Sequence, residues 1–358
     1  MTDKAHSGSR RALLAGAASV AAAVPLGLIG KVFATPKILP APLTDAPICS
    51  AAADAAATGP LKKISFAWNA GAPCLLGVTV AKEKGFFARH GLDVDLVNYS
   101  GSTDQLLETL ATGKADAAAG MALRWLKPLE QGFDVKIVAS THGGCLRLLA
   151  PTASDIKTLK DLKGKMIAVS DMNSPGKNFF AIRLNKAGLD PEKDVEFRPF
   201  PGPLLRVSVE KGEAHALADN DPLTFLFQKD GAFREVSSNL DAEYASRVCC
   251  IVGVRGSLIR EDKATAAAIA RALIEAAEFA AHHPEEAAAT YAPYGPGKVE
   301  LADLVTLAKY HAHHHHPVGA DLKKELALYA QELKLVSIFK PSTDPAKFAE
   351  RIYAEVLS

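Results

Sequence analysis

Hydrophobic and polar positions fall into a regular pattern from Leu61 onward. The run "KKISFAW" (62–68) is short and apolar towards its end, which predicts a strand. Pro73 follows where the first turn of a helix tolerates proline. After it, "CLLGVTVAKEKG" (74–85) carries apolar residues at helical spacing and stops at Gly85. In "LDVDLVNY" (92–99), Leu92, Val94 and Leu96 alternate with Asp93 and Asp95, the pattern of a half-buried strand. "STDQLLETLATG" (102–113) predicts a helix opened by a Ser102/Gln105 capping box and closed by Gly113. "KADAAAG" (114–120) is another short strand. Strands and helices in alternation imply an α/β fold with a mostly parallel sheet flanked by helices.

The pattern then recurs. "LLETLATGKADAAAG" (106–120) lies 99 residues before "LRVSVEKGEAHALAD" (205–219), with Leu106 over Leu205, Gly113 over Gly212, Ala115 over Ala214 and Ala119 over Ala218. Two similar α/β lobes are expected, the second beginning near "LKGKMIAVS" (162–170). "CLRLLAP" (145–151) and "SRVCCIVGVRGSLI" (246–259) read as β-rich crossings between them. Only helical patterns follow the second crossing, so the tail must cover a lobe already made. The expected division is residues 61–145 with 247–358 for one lobe and 146–246 for the other.

The N-terminus adds a targeting segment. Arg10 and Arg11 precede nineteen uncharged residues, Ala12 to Gly30, and then Val32-Phe33-Ala34. This predicts an export signal of the twin-arginine type over residues 1–34, cut after Ala34, and hence a periplasmic protein. A membrane anchor is the alternative, but alanine and glycine make the run weakly hydrophobic. Residues 35–60 are rich in Pro and Ala without periodicity and read as a flexible leader. Removing 1–34 takes away four cations and one anion, moving the formal charge from +1 to −2. That near-neutral balance argues against a nucleic-acid partner.

With these elements in place, "AKEKGFFARHGLDVDLVNYSGSTDQLLETLATGKADAAAG" (81–120) resembles the corresponding stretch of periplasmic nitrate/sulfonate/taurine-type solute-binding proteins, the NMT1/THI5-like family. "LKDLKGKMIAVS" (159–170) resembles the start of their second lobe, and "YAQELK" (329–334) fits their helical tail. The resemblance implies a type II periplasmic binding fold of two hinged lobes. It implies a monomer without cofactor or catalysis that captures one small polar ligand and delivers it to an ABC transporter permease at the inner membrane. A pyrimidine-precursor protein linked to thiamin, or a periplasmic metal chaperone using His and Cys, are the alternatives, because fold does not name the ligand.

In such a fold the ligand lies between lobes, against strand-to-helix turns, where free N–H groups and the helix dipole favour negative charge. The candidate residues are Trp68, Asn69 and Cys74 in "WNAGAPC"; Ser100, Ser102 and Thr103 in "YSGST"; and Asp171, Asn173 and Ser174 in "SDMNSPG". Met121, Arg124 and Trp125 in "GMALRW", and Asp219, Asn220 and Asp221 in "ADNDP", join them. Ordinary helix capping is the plainer reading of the Ser and Asn residues. Three aspartates against one arginine suit a bare oxyanion poorly. Either they brace loops, or the ligand carries a donor or positive group. The tryptophans either stack on that ligand or pack in a core.

Five cysteines are present: Cys49, Cys74, Cys145, Cys249 and Cys250. In the related fold the two crossings run side by side, and strand alternation lets only one of Cys249 and Cys250 face Cys145. A cross-hinge disulfide, buried thiols, and a thiol site with His142 and Cys74 for a soft metal or an electrophilic ligand all remain open. Five of eleven histidines fall in "HAHHHHPVG" (311–319). They are expected in the last turn and exit of a helix in the outer layer, solvated, with His311 and His315 one turn apart. No dedicated metal site is assigned.

Overall fold

The computed structural model describes residues 59–99, 103–295, 297 and 299–358. The expected export signal, Cys49, the leader up to residue 58, Ser100 and Ser102 lie outside the described residues, as does the Thr103 side chain. The chain runs β1 (Lys62–Trp68), a 3-10 turn at Pro73–Leu75, α1 (Leu76–Glu83), α2 (Phe86–Arg89), β2 (Leu92–Asn98) and α3 (Thr103–Ala111). It continues with β3 (Ala117–Met121), α4 (Ala122–Gln131) and β4 (Val135–His142). A second sheet is then built from β5 (Leu146–Pro151), β6 (Lys165–Val169), α5 (Pro175–Lys186), β7 (Val195–Pro199), α6 (Leu205–Glu210), β8 (Ala216–Asn220), α7 (Leu223–Gln228) and β9 (Phe233–Ser238). The chain returns to the first sheet as β10 (Cys250–Arg255). It ends in α8 (Gly256–Glu261), α9 (Lys263–His282), α10 (Pro284–Tyr291), α11 (Leu301–Tyr310), α12 (Gly319–Leu335) and α13 (Pro345–Ile352).

The two sheets have the same plan. The first has strand order β2-β1-β3-β10-β4 and the second β7-β6-β8-β5-β9. In each, three parallel strands are joined by an antiparallel strand that arrives from the other sheet. The 99-residue repeat therefore has a structural meaning: α3–β3 and α6–β8 occupy equivalent places. Gly113 and Gly212 end their helices in the same left-handed conformation, with φ 76° and 75°, which costs glycine least. In β2, Leu92 and Val94 are buried while Asp93 and Asp95 are exposed, as their alternation predicts. The long helix α9 packs through alanines; Ala266, Ala270, Ala276 and Ala280 are fully buried, so helix and sheet approach closely.

One expectation is corrected. The helix before the histidine tract stops at Tyr310, not at His316. The chain leaves helical geometry at His311 because Ala312 forms a two-way backbone bridge with Gly143, at 2.9 and 3.1 Å. Gly143 also lies close to a second segment: a Cβ there would stand 2.9 Å from the Arg247 carbonyl oxygen but 3.5 Å from Ala312 Cβ. As a result His311 and His313 are buried, whereas His314 is exposed and His315 and His316 are partly so. The tract is not a uniformly solvated helix end, and His311 and His315 do not share a helical turn.

Candidate functional site between the two sheets

Between the ends of the two sheets lies a cavity of about 160 Å³. Its first-sheet wall includes Asn69, Cys74, Met121, Arg124, Trp125 and Cys250, and the second sheet contributes Pro175 and Asn220. Three helices begin at this cavity. Cys74 and Leu75 lead into α1, Met121 is the residue before α4, and Pro175 opens α5. Their aligned dipoles favour negative charge at this end. Several first-turn N–H groups are already bonded within the protein: Leu76 to the Pro73 carbonyl, Ala122 to the Cys249 carbonyl at 2.8 Å and Lys177 to the Ser174 hydroxyl at 3.1 Å. Trp125 forms one wall because two glycines make room for it. A Cβ at Gly120 would lie 2.4 Å from the indole nitrogen, and one at Gly253 2.6 Å from a ring carbon.

Arg124 supplies the cation. Its Nη2 lies 2.8 Å from Asp171 Oδ2, an ion pair that joins the two lobes across the opening, with both side chains part-exposed. Asp171 also accepts the Asn173 N–H at 2.8 Å, so it shapes its own turn.

The other two aspartates are turned inward. Asp219 is buried, and its Oδ1 accepts the Asn220 N–H at 2.8 Å. Burial pushes its carboxyl up to about 6 against the Asn220 N–H, the Ser170 hydroxyl and the charge of Arg124, which favour the anion. Asp221 is wholly buried. It accepts from Arg147 Nε at 3.0 Å, the Thr224 hydroxyl at 2.7 Å and the Phe225 N–H at 3.1 Å, and His311 Nε2 lies 3.2 Å from its Oδ2. Burial opposes its charge, but His311 and Arg147 outweigh it and hold the carboxyl below its usual range. The Arg147 guanidinium in turn stacks 3.7 Å from the centre of the Tyr310 ring. Asp219 and Asp221 thus brace the fold, while Asp171 remains at the opening as the partner of Arg124.

Of the residues expected at the site, Asn69, Cys74, Met121, Arg124, Trp125 and Asn220 line this cavity. Asp171 reaches its rim through Arg124. Trp68 instead lies in the core, edge-on to Tyr291 and Tyr294 at 6.3 and 6.0 Å. Ser174 caps α5 by accepting the Lys177 N–H at 3.1 Å, and Thr103 opens α3. His142 and Asp221 are buried and not among the cavity's lining residues.

Sequence reasoning overlooked Tyr99, which lines the cavity, and Arg147 and His311, which are bonded to Asp221. No short-range signal marks Arg147, since its partner lies on a neighbouring strand.

Sulfur and imidazole gather behind the first-sheet wall. Cys74, Cys145, Cys249 and Cys250 are all buried free thiols. Cys249 is the one that faces Cys145, with the sulfurs 3.0 Å apart, well beyond the ~2.05 Å of a disulfide. Cys74, His142 and Cys250 bring ligand atoms within 4.8 Å of one another. Hydrogen bonds from the Cys145 and Cys250 thiols, with the nearby His142 ring, hold the Cys74 thiol well below its ordinary value. Burial works against a charge on His142, but the Cys74 sulfur outweighs it and lifts the ring to about 9.

Residues 72–287, more than half of the chain, match the family described as NMT1/THI5 like. The chain belongs to this family. Among curated relatives, the nitrate import ATP-binding protein NrtC of a Synechocystis strain is 27% identical over 224 residues, 56% of this chain and 32% of that protein. The chain therefore matches about a third of that relative's length. Among solved structures, the periplasmic aliphatic sulphonate binding protein SsuA of Escherichia coli superposes with a TM-score of 0.67 at 18% identity, over 82% of this chain and 92% of that one. The periplasmic nitrate-binding protein NrtA of Synechocystis gives 0.67 at 15% identity, over 83% and 87%. This NMT1/THI5-like chain thus has the fold of periplasmic binding proteins: two mixed five-stranded sheets flanked by helices.

Proposed function

We propose that this NMT1/THI5-like protein is the solute-capturing component of an ABC importer, and that it binds a small anion-bearing polar compound between its lobes. One observation carries the reading: Arg124 and the first turns of α1, α4 and α5 meet at a single interlobe cavity. A guanidinium beside convergent helix dipoles is suited to a sulfonate-, nitrate- or carboxylate-like group. Met121, Trp125 and Leu75 offer apolar contact to an organic remainder, and Asn69 and Asn220 offer amide hydrogen bonds. At about 160 Å³ the space suits a ligand well below drug size. Delivery to an inner-membrane permease, export by residues 1–34, action as a monomer and absence of catalysis belong to the same proposal. They are supported by the likeness to sulfonate- and nitrate-binding proteins.

Calorimetric titration with nitrate, bicarbonate, taurine and short alkanesulfonates tests the reading. At least one should bind at one site per chain. Arg124→Ala should weaken it by about tenfold or more, as expected for loss of a hydrogen-bonded charge worth ~1.5–3 kcal/mol. The contrary outcome is that none of these anions binds while an uncharged pyrimidine does. Stacking on Trp125 and pairing with Asn69 and Asn220 would then carry recognition, and the anion reading fails.

A further inference from the structure

The group of Cys74, His142 and Cys250 is built like a metal centre rather than like ordinary core. Three separate elements hold it: Cys74 sits in the proline-started turn before α1, His142 ends β4, and Cys250 opens β10. Cys250 and His142 are direct partners in the antiparallel pairing of β10 with β4, so their side chains share one face of the sheet.

The His142 ring has a defined orientation. Its Nδ1 lies 3.1 Å from the Gly143 carbonyl oxygen and donates to it, so Nε2 is the nitrogen that supplies a lone pair to a cation once it gives up its proton. That Nε2 is buried and has no hydrogen-bond partner among the described residues. A wholly buried, unsatisfied ring nitrogen is costly, and a cation would satisfy it.

The geometry points to a site for a thiophilic cation of the Zn²⁺ class, held by Cys74, His142 and Cys250 with a fourth position open towards the interlobe cavity. The ligand atoms all lie within 4.8 Å of one another. Tetrahedral coordination, with bonds of ~2.3 Å to sulfur and ~2.0 Å to nitrogen, needs separations of about 3.5–3.8 Å. Side-chain movements of about 1 Å close that gap. Two thiolates and a neutral imidazole select a soft or borderline cation over Mg²⁺ or Ca²⁺, and binding releases the thiol protons. Cys74 and Cys250 both line the cavity, which supplies an entry path. The His314–His316 run, beyond the buried His313, takes no part. This site stands independently of the ligand proposed above.

The test uses the full chain, with thiols reduced by a phosphine and metal removed by chelation, then titrated with Co²⁺ as an optical stand-in and with Zn²⁺ in competition. One equivalent of Co²⁺ should give thiolate-to-cobalt charge-transfer absorption, and one equivalent of Zn²⁺ should bleach it. Cys74→Ser, Cys250→Ser and His142→Gln should each lower Zn²⁺ affinity at least tenfold, while changing His314, His315 and His316 together to Gln should leave it intact. Circular dichroism of the apo variants checks folding. Should a variant fail to fold, the wild-type cobalt spectrum alone decides. Absence of the charge-transfer band in the reduced wild type overturns the proposal. So does a band that survives in Cys74→Ser and Cys250→Ser, or loss of binding only in the triple histidine variant.

Discussion

The two lobes put different chemistry on the same scaffold position. At the end of β3 the chain reads Gly120-Met121-Ala122, and 99 residues later, at the end of β8, it reads Asp219-Asn220-Asp221. Met121 and Asn220 both reach the interlobe cavity, and Gly120 lines it as well, whereas Asp219 and Asp221 are not among its lining residues. In the first lobe the flanking residues are small, so Trp125 can lie against the sheet. In the second they are carboxylates, and each carboxylate is buried. Shared topology decides which position faces a ligand. Side-chain size and charge then decide whether the positions beside it make a wall or a brace.

The sharpest way to break this comparison is to remove the brace. Asp221 and Arg147 are both buried and bonded to one another. Asp221→Asn or Arg147→Ala removes one member of a buried network in which Arg147 keeps Glu235 at 2.8 Å and Asp221 keeps His311 and Thr224. A loss near the lower end of the ~3–5 kcal/mol seen for a broken buried pair is therefore expected. Urea unfolding should show a lower midpoint with an unchanged slope. A loss below about 1 kcal/mol would mean that the network does not hold the second lobe together.

Asp219 offers a pH-dependent version of the same contrast. Its folded pKa, about 6, lies above its unfolded value of about 4. The folded state therefore holds the proton more tightly, and the group's contribution is fully present below about pH 4 and lost as pH rises through 6. Two units correspond to about 3 kcal/mol. Other groups titrate over the same range, so the quantity to follow is the stability difference between wild type and Asp219→Asn. The variant should gain on the wild type between pH 4 and 7. A difference that stays flat with pH would show that Asp219 is not held in the buried environment described.

Much of this architecture was legible in the residue pattern, because it rests on local periodicity. Alternation marked β2, left-handed glycines closed α3 and α6, and the repeat at 99 residues pointed to two similar sheets. The site was less legible for a physical reason. Whether an aspartate is a ligand or a brace depends on what stands opposite it. Arg147 reaches Asp221 only through the pairing of β5 beside β8, and Cys250 meets His142 only through the register of β10 on β4. Neither register leaves a mark in the nearby sequence. Trp68 and Trp125 show the same limit: the first ends β1 and the second follows β3 in α4, yet one packs on tyrosines and the other lines the cavity.

The equivalent positions Met121 and Asn220 sharpen the comparison at the ligand. Asn220→Asp adds a negative charge to a cavity whose cation, Arg124, already faces Asp171. It should weaken an anionic ligand by about 2–3 kcal/mol, the size of a charge interaction across about 6–8 Å at an effective dielectric near 20. Met121→Leu, a near volume-conserving change, should cost less. Calorimetry on both variants reads the difference directly, and equal effects would remove the charge argument for the cavity.

The smallest effect is expected where the sequence is most conspicuous. The histidine tract divides at His313. Before that point His311 is buried against Asp221, and the His142 ring stacks on it at 5.7 Å between centres. Beyond it, His314 is exposed, and the part-exposed His315 and His316 lie 3.0 and 2.7 Å from Glu325 and Glu278. Part-exposed His–carboxylate contacts of this kind contribute ~0–1 kcal/mol, because water competes with them and the side chains lose freedom to form them. Changing His314, His315 and His316 together to Gln should therefore lower stability by less than about 1 kcal/mol. His311→Gln, which strips a buried carboxylate of one partner, should cost ~1–3 kcal/mol. Denaturant midpoints of the two variants, measured side by side, decide the matter. If the triple change costs as much as His311→Gln, then the outer histidines are structural and the division of the tract at His313 is wrong.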